Sequence, residues 1–230
     1  MVQGLPEFPN GCFVTGTDTG VGKTFASAAL LHAMRRDGRP AVGMKPVASG
    51  CERTPQGWRN EDALALQAAS QPRPEYLLVN PYALPEPTAP QIAAALAGVR
   101  VALPTILAAH AALAAQCQGR VLVEGAGGWL APLADGIEQA DLARTLGLPV
   151  VLVVGLRLGC LSHARLTARA IVADGCRYAG WIGNAIEAPG PHAAAYLELL
   201  RTQLPGPCLG LLPHAPGGDP AVLAANLAAG

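Results

Sequence analysis

The chain has 230 residues, a formal net charge of zero and an isoelectric point near 6.9. Its length suits one large α/β domain, and no linker-like stretch divides it. Neither lysines nor arginines cluster into a stripe that could follow a phosphate backbone, so nucleic acid is excluded as an expected partner. Hydrophobic residues make up 51% of the chain and charged residues 14%, so we expect much of the surface to be either alanine-rich or covered by a partner subunit in an oligomer.

Apolar runs alternate with alanine- and leucine-rich segments of helical period, which is the pattern of a doubly wound, mostly parallel sheet. The predicted strands are 11–15, 40–45, 120–124, 149–155, 179–184 and 208–212. The predicted helices are 22–37, 60–70, 89–97, 104–118, 139–146, 162–174 and 191–204. We expect a single domain of the α/β class, with residues 1–9 as a flexible N-terminal extension.

The first strand leads directly into a glycine-rich turn, 16–24, which reads Gly-Thr-Asp-Thr-Gly-Val-Gly-Lys-Thr. A strand, a turn ending in Gly-Lys-Thr and a helix together form a phosphate-binding loop. In such a loop backbone N–H groups surround the phosphates, Lys23 approaches the β- and γ-phosphates, and the Thr24 hydroxyl coordinates Mg²⁺. Five residues separate Gly16 from Gly22, where the common pattern has about four. The turn predicts a nucleoside triphosphate as ligand.

Polar residues follow the predicted strands at their carboxyl ends, where ligands bind to a parallel sheet. Glu124 ends an apolar run, and a buried carboxylate there is costly unless it meets a cation. It either caps the following turn or contributes to a Mg²⁺ site. Asp62 begins a predicted helix, where a favourable interaction with the helix dipole is the simplest explanation. With Thr24 and Glu124 it could also complete a set of oxygen ligands for Mg²⁺.

Lys45 is a second lysine near the predicted phosphate site, and it precedes a turn that contains Ser49 and Gly50. A lysine at a strand end is usually a solvated terminus. In this position it could instead stabilise negative charge on a transferring phosphoryl group, without a covalent role.

The six cysteines form no C-x-x-C pair and have no nearby histidine at metal-ligand spacing, so we expect reduced thiols. The N-terminus lacks a basic region followed by an apolar stretch, and the apolar run 149–156 is too short to cross a bilayer. We therefore expect a cytoplasmic protein that does not insert into a membrane.

Further motifs follow the turn 16–24 in order along nearly the whole chain. They are Lys-Pro-Val-Ala-Ser-Gly at 45–50, Asn-Pro-Tyr at 80–82, Glu-Pro-Thr at 86–88, Val-Glu-Gly-Ala-Gly-Gly at 123–128 and Gly-Cys-Leu-Ser-His at 159–163. As a set they resemble the dethiobiotin synthetase family, in which the longer phosphate loop is usual. The resemblance implies a P-loop NTP-hydrolase fold and an ATP-dependent cyclo-ligase of biotin biosynthesis. Such an enzyme uses CO₂ to close a ureido ring on 7,8-diaminononanoate, giving dethiobiotin, ADP and phosphate.

The resemblance also implies roles for particular residues. The catalytic residues would be Lys23 and Lys45, which would stabilise the carbamate and phosphoryl charges. Thr19 and Ser49 would also be catalytic and would hydrogen-bond the carbamate. Thr24, Asp62 and Glu124 would hold Mg²⁺. Nucleotide contacts would come from the turn and from later strand ends: Gly20, Val21, Gly22, Lys23, Thr24, Phe25, Asp62, Glu124, Gly125, Ala126, Gly127, Asn184, Pro213, His214 and Ala215.

The family is a homodimer, so the resemblance implies a substrate site at the subunit interface. Thr19, Ser49 and Gly127 would contact the diamine from one subunit, and Cys160, Leu161 and Ser162 from the other. A helix N-terminus suits the substrate carboxylate. The chain departs from the family pattern at Gly20, where Glu is common, and at Ser162, where Asn is common. Ser162 is still expected to cap the helix, and no nucleotide contact is assigned in 216–220.

Other functions are compatible with such a fold. A partner-regulated dimeric P-loop ATPase of the chromosome-partitioning kind would carry a second lysine early in the loop, where this chain has Asp18. An amidoligase acting on corrinoid carboxylates usually adds a glutamine-hydrolysing domain, for which the length leaves no room. A nucleotide kinase would need an arginine-rich lid.

Overall fold

A computed structural model of the chain describes residues 5–227. The strands in this part of the chain are β1 (Gly11–Gly16), β2 (Val42–Met44), β3 (Val47–Ala48), β4 (Glu52–Thr54), β5 (Gly57–Arg59), β6 (Tyr82–Ala83), β7 (Val121–Gly128), β8 (Pro132–Ala134), β9 (Ile137–Glu138), β10 (Val150–Gly155), β11 (Tyr178–Asn184) and β12 (Cys208–Leu212). The helices are α1 (Lys23–Met34), α2 (Glu61–Ala69), α3 (Tyr76–Val79), α4 (Pro90–Leu96), α5 (Leu103–Gln116), α6 (Gln139–Leu146), α7 (Cys160–Ala173), α8 (Ala193–Gln203) and α9 (Pro220–Leu223).

Six of these strands form one sheet in the order β12-β11-β10-β1-β7-β2, and every pair in it is parallel. They are the six strands that the sequence predicts, so the doubly wound parallel sheet is confirmed. Strands β1 and β10 are buried along their whole length, which explains why they read as continuous apolar runs rather than as alternating ones.

The core lies in two layers, one on each face of the sheet. Because successive side chains of a strand point to opposite faces, Phe13 packs into one layer and Val14 into the other. Helix α1 packs in the layer of Val14. Phe8 is only 3% exposed and belongs to that same layer. The segment 1–9, which we expect to be a flexible extension, is thus packed against the core at Phe8. Residues 1–4 of this segment lie outside the described residues.

Several element boundaries differ from the predicted ones. Strand β7 continues to Gly128, because its glycine-rich end still pairs with Gly16 of β1. Helix α7 begins at Cys160 rather than at Ser162. The short strand pairs β3–β6, β4–β5 and β8–β9 were not predicted, because segments this short show no measurable period. Within residues 5–227, none of the helices has the length and apolar character needed to span a membrane.

Candidate nucleotide-binding site

The turn between β1 and α1 has the backbone of a phosphate-binding loop. Gly22 is the N-cap of α1 and adopts a left-handed conformation with φ of 79°. A Cβ atom at this position would lie 2.1 Å from Asn184 Nδ2, so glycine is required for both backbone and packing reasons. Lys23 and Thr24 are the first two residues of the helix, which places both at its positive end.

Asp18 organises the first half of the turn. Its carboxylate accepts a hydrogen bond of 2.7 Å from the Thr19 N–H and forms an ion pair of 3.0 Å with Arg157. Its backbone carbonyl accepts a hydrogen bond of 2.9 Å from Lys23 Nζ. Sequence reasoning gave Asp18 and Arg157 no such role, because the two residues lie far apart along the chain.

Lys45 and Glu124 form a buried ion pair at the ends of two adjacent strands. Met44 of β2 pairs with Val123 of β7, so the next residue of each strand reaches the same place. Lys45 Nζ lies 2.5 Å from Glu124 Oε1, and both side chains are almost completely buried. Lys45 is therefore not a solvated strand end. Glu124 does not cap a turn either, because β7 continues past it.

Thr24 and Asp62 complete the cluster around this ion pair. The Thr24 hydroxyl donates to Glu124 Oε1 over 2.9 Å. Asp62 Oδ2 lies 3.1 Å from Lys45 Nζ. Asn60 places Asp62 there, because its side chain caps α2 by accepting a hydrogen bond from Ala63 N. Asp62 therefore lies in the first turn of α2 and also beside the predicted phosphate site. The sequence allows both interpretations, and the structure is compatible with both.

The charges of this cluster shift several pKa values. Burial alone would lower the pKa of Lys45, but the nearby carboxylates of Glu124 and Asp62 outweigh burial and raise it. Burial would raise the pKa of Asp62, but Lys45 lowers it. Lys23 has a pKa lowered to about 8, first by burial and then by repulsion from Lys45. Lys45 is therefore firmly protonated at neutral pH, whereas Lys23 titrates just above it.

This difference in pKa predicts that Lys23, and not Lys45, makes the free energy of unfolding depend on pH between 8 and 10.5. Because the pKa of Lys23 falls from 10.5 to about 8 on folding, the unfolded chain binds more protons between these two values. The free energy of unfolding should therefore rise from pH 8 to pH 10.5 by about 3 kcal/mol more in the unmodified protein than in Lys23→Met.

Denaturant unfolding at several pH values measures this difference. Lys23 and Lys45 are the only lysines of the chain, so ¹⁵N-labelled lysine gives two side-chain signals, which the Lys23→Met variant assigns. Parallel stability curves for the two proteins, or a Lys23 signal that titrates near 10.5, would contradict the prediction.

A cleft of about 860 Å³ opens over the turn and the ion pair, a size typical of small-molecule sites. Of the residues predicted to bind nucleotide or diamine, it brings together these: Thr19, Gly20, Gly22, Lys23, Thr24, Phe25, Lys45, Ser49, Asp62, Ala126 and Gly127. Glu124 lies beneath it and is fully buried. Val21 and Gly125 face the interior: Val21 is buried, and a Cβ atom at Gly125 would meet Gln139 and Phe13.

Two buried oxygen atoms at this cleft lack hydrogen-bond partners within residues 5–227. They are Ser49 Oγ and Glu124 Oε2, and a buried polar atom without a partner is destabilising. The Thr24 hydroxyl and the carboxylates of Asp62 and Glu124 are hard oxygen donors of the kind that Mg²⁺ prefers. Their donor set therefore fits that ion, although the described residues contain no group of three or more His, Cys, Asp or Glu suited to a metal.

A second cleft, of about 430 Å³, lies at the start of α7. Cys160, Arg157, Pro213 and Tyr196 are among the residues that line it, and sequence reasoning missed Arg157 and Tyr196. Tyr196 lies in the alanine- and leucine-rich helix α8, where no local sequence pattern indicates that its side chain lines a cleft. The two clefts share no lining residue within one chain.

The start of α7 differs from the expected one. Gly159, with φ of 93°, is the N-cap, and no side chain caps this helix. The expectation that Ser162 caps it is therefore wrong, because Ser162 lies inside the first turn and is exposed. Leu161 is half-buried beside it.

Of the residues predicted to contact the adenine, Asn184 ends β11 and pairs with Leu212 of β12. Pro213 and His214 follow that strand and are exposed, whereas Ala215 is half-buried. These residues therefore lie beside Asn184 at one edge of the fold, and among them Pro213 lines the second cleft.

Known proteins resemble the chain in sequence and in structure. A family model described as "AAA domain" matches residues 10–221. The protein named ATP-dependent dethiobiotin synthetase BioD from Xylella fastidiosa (strain 9a5c) is 61% identical over 94% of this chain and 95% of its own length. Its namesake from Xanthomonas euvesicatoria pv. vesicatoria (strain 85-10) is 60% identical over 94% of this chain and 96% of its own.

Solved structures support the fold alone. The MinC:MinD cell division protein complex of Aquifex aeolicus contains a chain with a TM-score of 0.54 and 16% identity, over 89% of this chain and 81% of that one. The cell division protein ftsY of Thermotoga maritima has a TM-score of 0.53 and 16% identity, over 97% and 70%. These likenesses confirm the predicted P-loop NTP-hydrolase fold, and the sequence relatives do not favour a chromosome-partitioning ATPase. The chain belongs to the family of ATP-dependent dethiobiotin synthetases.

Proposed function

We propose that the protein is an ATP-dependent carbon–nitrogen ligase of biotin biosynthesis, which closes a ureido ring on 7,8-diaminononanoate with CO₂. The observation that carries the proposal is the cleft over the glycine-rich turn. It places Lys23, the buried Lys45 and the unpartnered Ser49 hydroxyl around one space. Relatives that carry the name of this activity cover nearly the whole chain at about the same length.

The reaction begins when one substrate amine adds to CO₂ and loses a proton to solvent, which leaves a carbamate. A carbamate oxygen then attacks the γ-phosphorus of ATP, and ADP leaves. The second amine attacks the carbonyl carbon of the resulting mixed anhydride and loses a proton to solvent, and phosphate departs as the ring closes. The transferring phosphoryl group carries negative charge throughout, so preorganised cations are the main contribution that the protein can make.

The side chains of the cleft match these requirements. Lys45 is held in place by Glu124 and Asp62, so its charge needs no reorganisation during the reaction. Lys23 donates to the Asp18 carbonyl and would exchange this partner for a phosphate oxygen. Ser49 and Thr19 would hydrogen-bond the carbamate. Mg²⁺, held by Thr24, Asp62 and Glu124, would neutralise phosphate charge when bound.

The separation of the two clefts supports a homodimer. Residues predicted to contact the diamine are divided between them, with Ser49 at the first cleft and Cys160 at the second. In a homodimer the start of α7 would approach the other subunit's first cleft and bind the substrate carboxylate at its helix N-terminus. Exposed apolar side chains near this helix, Leu158 and Leu166, would become covered. A cytoplasmic location remains a prediction.

Substituting Ser49 by Ala should separate stability from catalysis. The hydroxyl oxygen is buried without a partner, so its removal should leave the melting temperature unchanged or slightly higher. Loss of a hydrogen bond to the charged carbamate should lower turnover by about 10- to 100-fold, which corresponds to roughly 1.5–3 kcal/mol. Thermal melts and product formation measure the two effects. A marked loss of stability with normal turnover would assign Ser49 a structural role instead.

The function itself is tested by incubating the protein with ATP, Mg²⁺, the diamine and ¹³C-labelled bicarbonate. We expect a ureido product that contains one labelled carbon, together with ADP and phosphate in equal amounts. Omission of any one component should abolish the product. ATP hydrolysis that proceeds at the same rate without the diamine, with no labelled product, would instead support the ATPase alternative.

A further inference from the structure

The Asn-Pro-Tyr motif at 80–82 lies outside the first cleft but contacts the backbone of Lys45. Strand β2 lies at one edge of the six-stranded sheet, and its pairing with β7 ends one residue before Lys45. The backbone of Lys45 finds its partners in another segment. Its N–H donates a hydrogen bond of 2.8 Å to the Val79 carbonyl, and its carbonyl accepts one of 2.7 Å from Asn80 Nδ2. These two residues therefore give Lys45 the support that the sheet gives to the rest of β2.

The start of helix α2 also depends on a residue from another segment. In a capping box, the side chain of the third helical residue accepts a hydrogen bond from the N-cap N–H. The N-cap of α2 is Asn60 and the third residue is Ala63, whose methyl group cannot accept one. The Tyr76 hydroxyl supplies the missing acceptor, 2.8 Å from Asn60 N. Asn60 Nδ2 donates in turn to the Ser49 carbonyl over 3.3 Å, so Tyr76 supports the segment that carries Asp62 and its contact with Ser49.

One oxygen atom joins these two arrangements. The Tyr76 hydroxyl accepts from Asn60 N and donates to Asn80 Oδ1 over 3.0 Å. Asn80 Nδ2 uses both of its hydrogens, because it donates to the carbonyls of Lys45 and Tyr82. The side chains of Tyr76, Asn60 and Asn80 are all buried, so water cannot readily replace a partner that is lost. A short chain of buried hydrogen bonds thus connects the end of β2 to the start of α2.

We propose that Tyr76 is a positioning residue, whose hydroxyl sets where the Lys45 cation stands relative to Ser49 and the start of α2. The two asparagines carry the effect, one to each side. Phosphoryl transfer needs the cation and the carbamate in one fixed geometry, and a displacement of about 1 Å can lower a rate by about 100-fold. The inference rests on the proposed function and adds to it a residue that does not line the first cleft.

Replacing Tyr76 by Phe removes the hydroxyl and keeps the ring, together with its contact to the Arg59 guanidinium 4.2 Å away. Asn60 N and Asn80 Oδ1 then lose their shared partner. At a temperature at which the variant is fully folded, we expect kcat to fall by about 10- to 100-fold. The KM for the diamine should stay nearly unchanged, because the displaced groups act mainly on the transferring phosphoryl group.

Tyr82→Phe is the matched control, because it removes one tyrosine hydroxyl from the same segment. That hydroxyl accepts a hydrogen bond of 3.1 Å from Ala102 N and has no link to Lys45, so kcat should not change. Asn80→Asp tests the other end of the chain of hydrogen bonds. This isosteric side chain can still accept from Tyr76, but it turns a carboxylate oxygen toward the Lys45 carbonyl. We expect the same loss of kcat as in Tyr76→Phe.

The ¹⁵N-labelled lysine signals provide a measurement that needs no substrate. The Lys45 signal should shift in Tyr76→Phe and in Asn80→Asp and stay in place in Tyr82→Phe. A purely structural role of Tyr76 would lower the melting temperature without changing this signal or kcat. Unchanged kcat in Tyr76→Phe and Asn80→Asp, equal losses in both tyrosine variants, or a loss of turnover with an unmoved Lys45 signal would each overturn the proposal. A failure of the unmodified protein to form the ureido product would instead contradict the proposed function, and the Lys45 signal would still decide whether Tyr76 positions this cation.

Discussion

Replacing Lys45 by Met is expected to destabilise the protein by about 3–5 kcal/mol and to abolish turnover. The substitution leaves the fully buried Glu124 carboxylate without its cation, which is 2.5 Å away in the intact protein. The hydrogen bond from Thr24 alone cannot replace that charge. For a chain of this size the melting temperature should fall by roughly 10 °C. Thermal melts and the assay for ureido product measure the two effects.

A second variant separates the buried charge from catalysis. In Lys45→Met with Glu124→Gln both charges are gone, and the amide can still accept the hydrogen bond from Thr24. We expect most of the lost stability to return, because replacing both partners of a buried ion pair is often nearly neutral. Turnover should stay absent. If the double variant were less stable than either single one, the two side chains would not be coupled in the way that the geometry indicates.

Much of this architecture is predictable because the central strands β1 and β10 are buried on both faces and β7, β11 and β12 are buried over most of their length or in part. Each then appears as a run of apolar residues between helical segments, and the first of them leads into the glycine-rich turn. The convergence of Lys45, Glu124 and Thr24 follows from the same rule, because parallel strands place their carboxyl ends at one edge of the sheet. The three side chains form one cluster because β7 lies between β1 and β2 in the sheet.

The contacts that sequence reasoning missed depend on register between distant segments. Arg157 and Asp18 are 139 residues apart, and Asn184 and Val21 are 163 apart. Whether such side chains meet is decided by the pairing of β10 with β1 and with β11 and by loop geometry, and none of these has a local pattern. The start of α7 was misplaced for a related reason. Its N-cap is a glycine in a left-handed conformation, whereas the nearby Ser162 has the side chain that usually marks a helix start.

Replacing Lys23 by Met should abolish turnover without loss of stability, in contrast to the same change at Lys45. Lys23 makes one side-chain hydrogen bond, to the Asp18 carbonyl, within the described residues, and its charge is repelled by Lys45. Removing it should leave the melting temperature at pH 7 unchanged or higher. Turnover should fall by at least about 1000-fold, as expected for a preorganised cation that stabilises the transferring phosphoryl group.

Lys23→Arg serves as the matched control, because it keeps the charge but changes its shape. A guanidinium is planar and cannot replace a compact ammonium at the start of a helix, so we expect it to recover only a small part of the turnover. If Lys45→Met loses stability, Lys23→Met does not, and both lose turnover, then the carboxylates of the site hold the Lys45 cation in place, whereas Lys23 can exchange its partner, the Asp18 carbonyl, for a phosphate. Normal product formation by Lys23→Met would remove the phosphate role from this residue, and equal destabilisation by both Met variants would contradict the distinction between them.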